Sequence, residues 1–102
     1  MGASGAILEN VVLDEKGATV NPDLHDYKVA TSLDAPEVDV HLVEDPQPDG
    51  PYGAKGVGEP ALAATAPAIG NAIYAATGVR MQELPITPEK LLAALKAVRG
   101  PK

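Results

Sequence analysis

Polar and apolar residues alternate along Glu37-Val38-Asp39-Val40-His41-Leu42-Val43-Glu44 until its last positions, the two-residue period of a half-buried strand. Shorter apolar stretches come before it. Asn10-Val11-Val12-Leu13 reads as a strand, Asp14-Glu15-Lys16-Gly17 as a turn, and Ala18-Thr19-Val20 as the hairpin partner. Asn21-Pro22-Asp23 then breaks the pattern, and a polar, extended stretch runs through Asp34-Ala35-Pro36. Residues Met1 to Leu8 are small and Gly-rich and are assigned no element; they open as though continuing one begun elsewhere. Beyond Pro60 the period changes. Leu62, Ala66, Ile69, Ile73 and Ala76 recur at spacings of three and four, which places them on one helical face. Pro67 and Gly70 interrupt that run, so a kink at Pro67 or two helices meeting there is expected, with Gly78 as a C-terminal cap. A last helix has Thr87 as N-cap, Pro88 at its first position, a buried stripe of Leu91, Leu92, Leu95 and Val98, and Gly100-Pro101 as its stop. The pattern predicts an α+β fold, with short N-terminal strands followed by C-terminal helices.

Composition narrows what such a chain can do. At 102 residues it is one domain at most. Phe, Trp and Cys are absent, so the core must come from Ala, Val, Leu and Ile with three tyrosines. That core is lean, and part of the apolar surface is expected to be covered by another chain. A formal net charge of −6 argues against nucleic acid as a partner, because phosphate binding needs a basic face. The lack of cysteine excludes disulfides, thiolate zinc sites and iron–sulfur ligation by this chain. No charged region followed by an apolar one marks a signal peptide, and no apolar run approaches the roughly 20 residues of a membrane span. The chain reads as soluble and cytoplasmic.

The chemistry concentrates in Gly50-Pro51-Tyr52-Gly53-Ala54-Lys55-Gly56-Val57-Gly58-Glu59-Pro60. Glycines at this density let backbone approach a bulky ligand, since no Cβ intervenes. Pro60 suits a first helical position and sets Glu59 at or beside the N-cap, where the helix dipole favours an ionised carboxylate. A charged carboxylate on a glycine hinge has the makings of a general base. A tight loop with Glu59 as an ordinary cap explains the same spacing equally well. Phosphate readings fare worse. A Walker A loop needs glycine directly before its lysine, and here Ala54 precedes Lys55. The stretch Gly56-Val57-Gly58-Glu59-Pro60-Ala61 has the looser dinucleotide spacing but follows a Pro-rich segment instead of a buried strand. Lys55 is open to contact with a bound cofactor, and surface or structural pairing is the favoured expectation. His25 and His41 lack a second ligand at metal spacing, and Tyr27-Lys28 is expected to anchor the extended stretch.

Several motifs carry a resemblance in order along nearly the whole chain. They are Asn21-Pro22-Asp23-Leu24-His25-Asp26-Tyr27-Lys28, Ser32-Leu33-Asp34-Ala35-Pro36, the glycine loop itself, Ala66-Pro67-Ala68-Ile69-Gly70-Asn71-Ala72-Ile73-Tyr74, Ala76-Thr77-Gly78-Val79-Arg80, and Glu83-Leu84-Pro85-Ile86-Thr87-Pro88-Glu89-Lys90. The chain resembles the C-terminal part of the molybdopterin-binding large subunit of the xanthine dehydrogenase and aldehyde oxidase family, the molybdenum hydroxylases. The resemblance implies that residues 1–102 are a single C-terminal segment, an incomplete piece of a larger molybdenum-binding domain. It implies Glu59 as the catalytic base, taking a proton from the metal-bound hydroxide as oxygen attacks an aldehyde or a ring carbon beside nitrogen. It implies that Gly56, Val57 and Gly58 lie against a molybdenum–molybdopterin cofactor shared with other chains. No residue of this chain is expected to ligate the metal. The implied partners are the remaining molybdopterin-binding subunit, an iron–sulfur subunit and a flavin subunit carrying FAD, with a small-molecule substrate. The family's large subunit is several times longer, so this chain is not expected to be active alone. The alternative is a non-catalytic structural or interaction module that kept the fold. A small nucleotide-binding domain is a more distant one.

Overall fold

Pro67 fixes the first helical boundary. Having no N–H, it leaves the Ala63 carbonyl four residues earlier without an intrahelical donor. Helix α2 (Pro60–Ala63) stops there, the chain passes through Ala64, and α3 (Thr65–Thr77) starts afresh. Pro67 then sits in the first turn of α3, where no donor is required. The expected two-helix arrangement is present, with its junction at Ala64, upstream of the proline. Gly78 closes α3 in the left-handed region (φ 74°), its N–H donating to the Tyr74 carbonyl at 2.7 Å.

The computed structural model describes residues 1–100, and the expected stop at Pro101 lies outside them. Helix α4 (Pro88–Arg99) begins as its sequence predicts. Thr87 is extended, its hydroxyl accepts from the Lys90 N–H at 3.3 Å, and Pro88 takes the first position. Its apolar stripe is only partly covered. Leu91 and Leu95 are half-buried, whereas Leu92 is 52% and Val98 69% exposed. Helices α2 and α3 pack together, and α3 also packs on α1 (Gly2–Ile7), but among the described residues α4 has no comparable helical partner.

Helix α1 was not legible in the pattern, since two glycines in six residues weigh against a helix. Docking onto α3 supplies what propensity does not. A Cβ at Gly2 would lie 2.6 Å from the Thr65 Oγ1, so the two helices approach through glycine. Ser4 and Ala6 are buried there. The Ala6 carbonyl accepts from the Ile86 N–H at 2.7 Å, and the Ser4 hydroxyl accepts from the Ala30 N–H at 2.9 Å. Ala6, Val79 and Ile86 make the buried apolar core.

The expected N-terminal strands are not borne out, and the described fold is helical instead of α+β. Between Asn10 and Val20 the chain forms a hairpin tip, with one isolated antiparallel bridge joining Leu13 to Thr19. The Asp14 carboxylate caps that tip by accepting from the N–H groups of Lys16 and Ala18, both at 2.8 Å. A two-stranded ribbon needs a face to bury. Here Val11, Leu13 and Val20 remain more than half exposed, and pairing ends after the tip. Residues 37–44 carry no regular structure, because no strand edge among the described residues lies against them. The outcome is an open molecule. Its Cα radius of gyration is 18.0 Å, whereas a compact chain of this length has about 13 Å.

Candidate active-site loop

The approach to the loop is a tight turn built from local hydrogen bonds. The Gly50 N–H donates to the Gln47 carbonyl (3.1 Å), the Gly53 N–H to the Gly50 carbonyl (3.0 Å), and the Gln47 N–H to the Gly53 carbonyl (3.0 Å). Closing it takes a 3-10 turn at Pro51–Gly53, with Tyr52 (φ 54°) and Gly53 (φ 77°) both left-handed. Glycine is required twice here. A Cβ at Gly53 would press on the Pro46 ring at 3.0 Å, and one at Gly50 would overlap the Ala54 carbonyl oxygen. Lys55 pairs with Asp45 at 2.8 Å and ties the loop exit to its entrance, the surface pairing that its position suggested.

Past Lys55 the loop's own demand for glycine ends. Gly56 and Gly58 do not adopt positive φ, and a Cβ on either would meet nothing within 4 Å. Val57 between them is 83% exposed. Glu59 occupies the N-cap position of α2, as expected, with Pro60 at the first helical position. Its backbone is already helical (φ −84°, ψ −32°), and its side chain makes no capping hydrogen bond. The ordinary-cap reading of Glu59 therefore loses its support. The dipole reading weakens as well, since α2 is four residues long and aligns few peptide units behind the carboxylate. What remains is an exposed carboxylate, free of capping duty, at the end of a strip of open glycine backbone.

The other sequence candidates lie elsewhere. His25 and His41 are exposed, and no group of three or more His, Cys, Asp or Glu side chains able to hold a metal occurs among the described residues. Tyr27 does anchor the extended stretch, its hydroxyl donating to Glu9 Oε2 at 2.7 Å. The Ser4 hydroxyl, and after it the Tyr27 phenol, hold the Glu9 carboxyl below the usual carboxylate range. In return, the bond to Glu9 pushes the Tyr27 phenol up. A shallow cleft of about 300 Å³ between α3 and residues 80–86 was not foreseen. On its rim Arg80 donates to the Asn71 side chain at 2.8 Å and stacks 3.9 Å over the Tyr74 ring. Periodicity hides that pair, because Gly78 turns the chain back between its members.

Comparison with known proteins gives the chain a family. The chain is 42% identical over 92 residues to the xanthine dehydrogenase molybdenum-binding subunit of Escherichia coli O157:H7, covering 89% of this chain and 12% of that protein. The chain is homologous to the molybdenum-binding subunits of the xanthine dehydrogenase and aldehyde oxidase family. The aldehyde oxidoreductase molybdenum-binding subunit of the same organism is 41% identical over 100 residues, covering 96% of this chain and 14% of its own length. Quinoline 2-oxidoreductase from Pseudomonas putida 86 superposes with a TM-score of 0.79 at 33% identity, over 93% of this chain and 13% of that one. No protein-family model matches the chain. This chain therefore spans 12–14% of the length of these two curated molybdenum-binding relatives.

Proposed function

We propose that this chain is the C-terminal catalytic segment of a molybdenum hydroxylase, completing a molybdopterin-binding domain in which Glu59 is the general base. One observation carries the reading: Glu59 is uncommitted beside two glycines that this chain's own packing does not require. Open glycine backbone is what close approach by a large cofactor demands, so Gly56, Val57 and Gly58 fit one wall of a molybdopterin site. The chain supplies that wall and no enclosure, and the rest belongs to the larger molybdenum-binding moiety. When bound, the molybdenum–molybdopterin cofactor supplies the redox chemistry of hydroxylation with water-derived oxygen. Glu59 accepts the proton of the oxygen nucleophile on a carboxylate oxygen as it attacks an aldehyde or the carbon beside a ring nitrogen. Iron–sulfur and flavin partners take the electrons onward, the assembly is cytoplasmic, and the isolated chain is inactive.

The test is Glu59→Gln in the assembled enzyme, which keeps size and hydrogen bonding while removing the basic oxygen. Removing a general base costs on the order of a hundredfold or more in turnover. That loss is expected with molybdenum content unchanged. Unaltered turnover in a molybdenum-replete variant would sink the base and leave a structural module that kept the fold.

A further inference from the structure

Residues 35–46 are the part of this chain least accounted for by its own fold. No backbone N–H or carbonyl in this arm takes part in a hydrogen bond among the described residues. Its sequence nevertheless has the two-residue period and β-branched content of a strand. Val38, Val40 and Leu42, the alternate positions that would share one strand face, are 69%, 73% and 89% exposed. Folded domains do not leave such a run of backbone groups unpaired once it is withdrawn from water. The occupant follows from the superposition. The fold matches over 93% of this chain but accounts for only 13% of the solved relative's chain, so the arm belongs with a body several times larger than itself.

We infer that residues 37–44 form a β-strand by adding to a sheet edge of the larger molybdenum-binding moiety, with Val38, Val40 and Leu42 packed onto its core. This rests on the assignment of the chain to a molybdenum hydroxylase assembly. Main-chain hydrogen bonds to the edge strand supply affinity, and the alternating side chains set register. The turn from Gln47 to Gly53 and the Lys55–Asp45 pair lie directly after the arm. Seating the arm as a strand therefore also fixes where Gly56 to Glu59 enter the site.

Amide hydrogen exchange decides this, measured on the chain alone and within the molybdenum-containing assembly isolated from its source cells. Amides between Val38 and Val43 are expected to exchange at least about a hundredfold more slowly in the assembly than in the free chain. Val40→Pro, which removes a ladder donor from a segment that carries no helix, is expected to cut recovery in the assembly about tenfold. Free-chain exchange rates within a molybdenum-replete assembly, or normal assembly of Val40→Pro, would overturn strand addition and leave the hydroxylase assignment standing. Protection already present in a homodimer of this chain would overturn the assigned partner. Recovery of the chain with no molybdenum-containing partner would remove both readings.

Discussion

Within one loop, glycines at neighbouring positions answer to different causes. Gly50 and Gly53 are required by the turn itself, through contact with Ala54 and Pro46. Gly56 and Gly58 face open space in ordinary backbone conformations. The sequence motif does not separate these classes, because composition reports density and not cause. Substitution does separate them. Gly56→Ala and Gly58→Ala are expected to leave the helical circular dichroism of the isolated chain unchanged, since an added methyl meets nothing. On the proposal that Gly56 and Gly58 lie against the cofactor, the same methyl would meet it in the assembly, and molybdenum content measured by elemental analysis is expected to fall well below one per complex. Full molybdenum loading in both variants would show that the open backbone serves no close approach.

Two helix ends follow their local signals, whereas the junction expected at Pro67 falls at Ala64. Thr87 caps α4 and Gly78 ends α3, because a hydroxyl reaching an N–H three residues on, or a left-handed glycine, depends on a handful of neighbouring atoms. The cap at Thr87 matters more than usual, since α4 has no helical partner comparable to that of α3 among the described residues. Thr87→Ala removes the acceptor for the Lys90 N–H and costs about 1 kcal/mol. That corresponds to roughly fivefold faster exchange of the Leu91 to Leu95 amides in the free chain. Unchanged exchange would mean that tertiary contact, and not the cap, holds the first turn. Elements that rest on distant partners were misread in both directions. Helix α1 exists because Gly2 admits Thr65 sixty-odd positions away along the chain, which no local window detects. The strand pattern at 37–44 stays unstructured because a strand is half of a pair, and periodicity reports only the half that is present.

At the scale of the whole molecule, the same cause shapes fold and function. Among the described residues the buried apolar core is little more than Ala6, Val79 and Ile86, while Leu24, Leu33, Leu42 and Val43 each stand more than 80% exposed. The lean core expected from a chain without Phe or Trp is present, and so is the uncovered apolar surface that another chain was expected to cover. Folding of so open a chain buries little surface against a backbone entropy cost of about 1–2 kcal/mol per ordered residue. A compact domain of about 100 residues unfolds with an enthalpy near 60–80 kcal/mol. The isolated chain is expected to melt gradually, with a calorimetric enthalpy under half that value, and to share one cooperative transition with its partner once assembled. A sharp, two-state melt of the lone chain with the full enthalpy would show that it is a self-sufficient domain. Glu59 would then sit on a surface complete without a partner, and the case for a shared site would fall with the case for a shared fold.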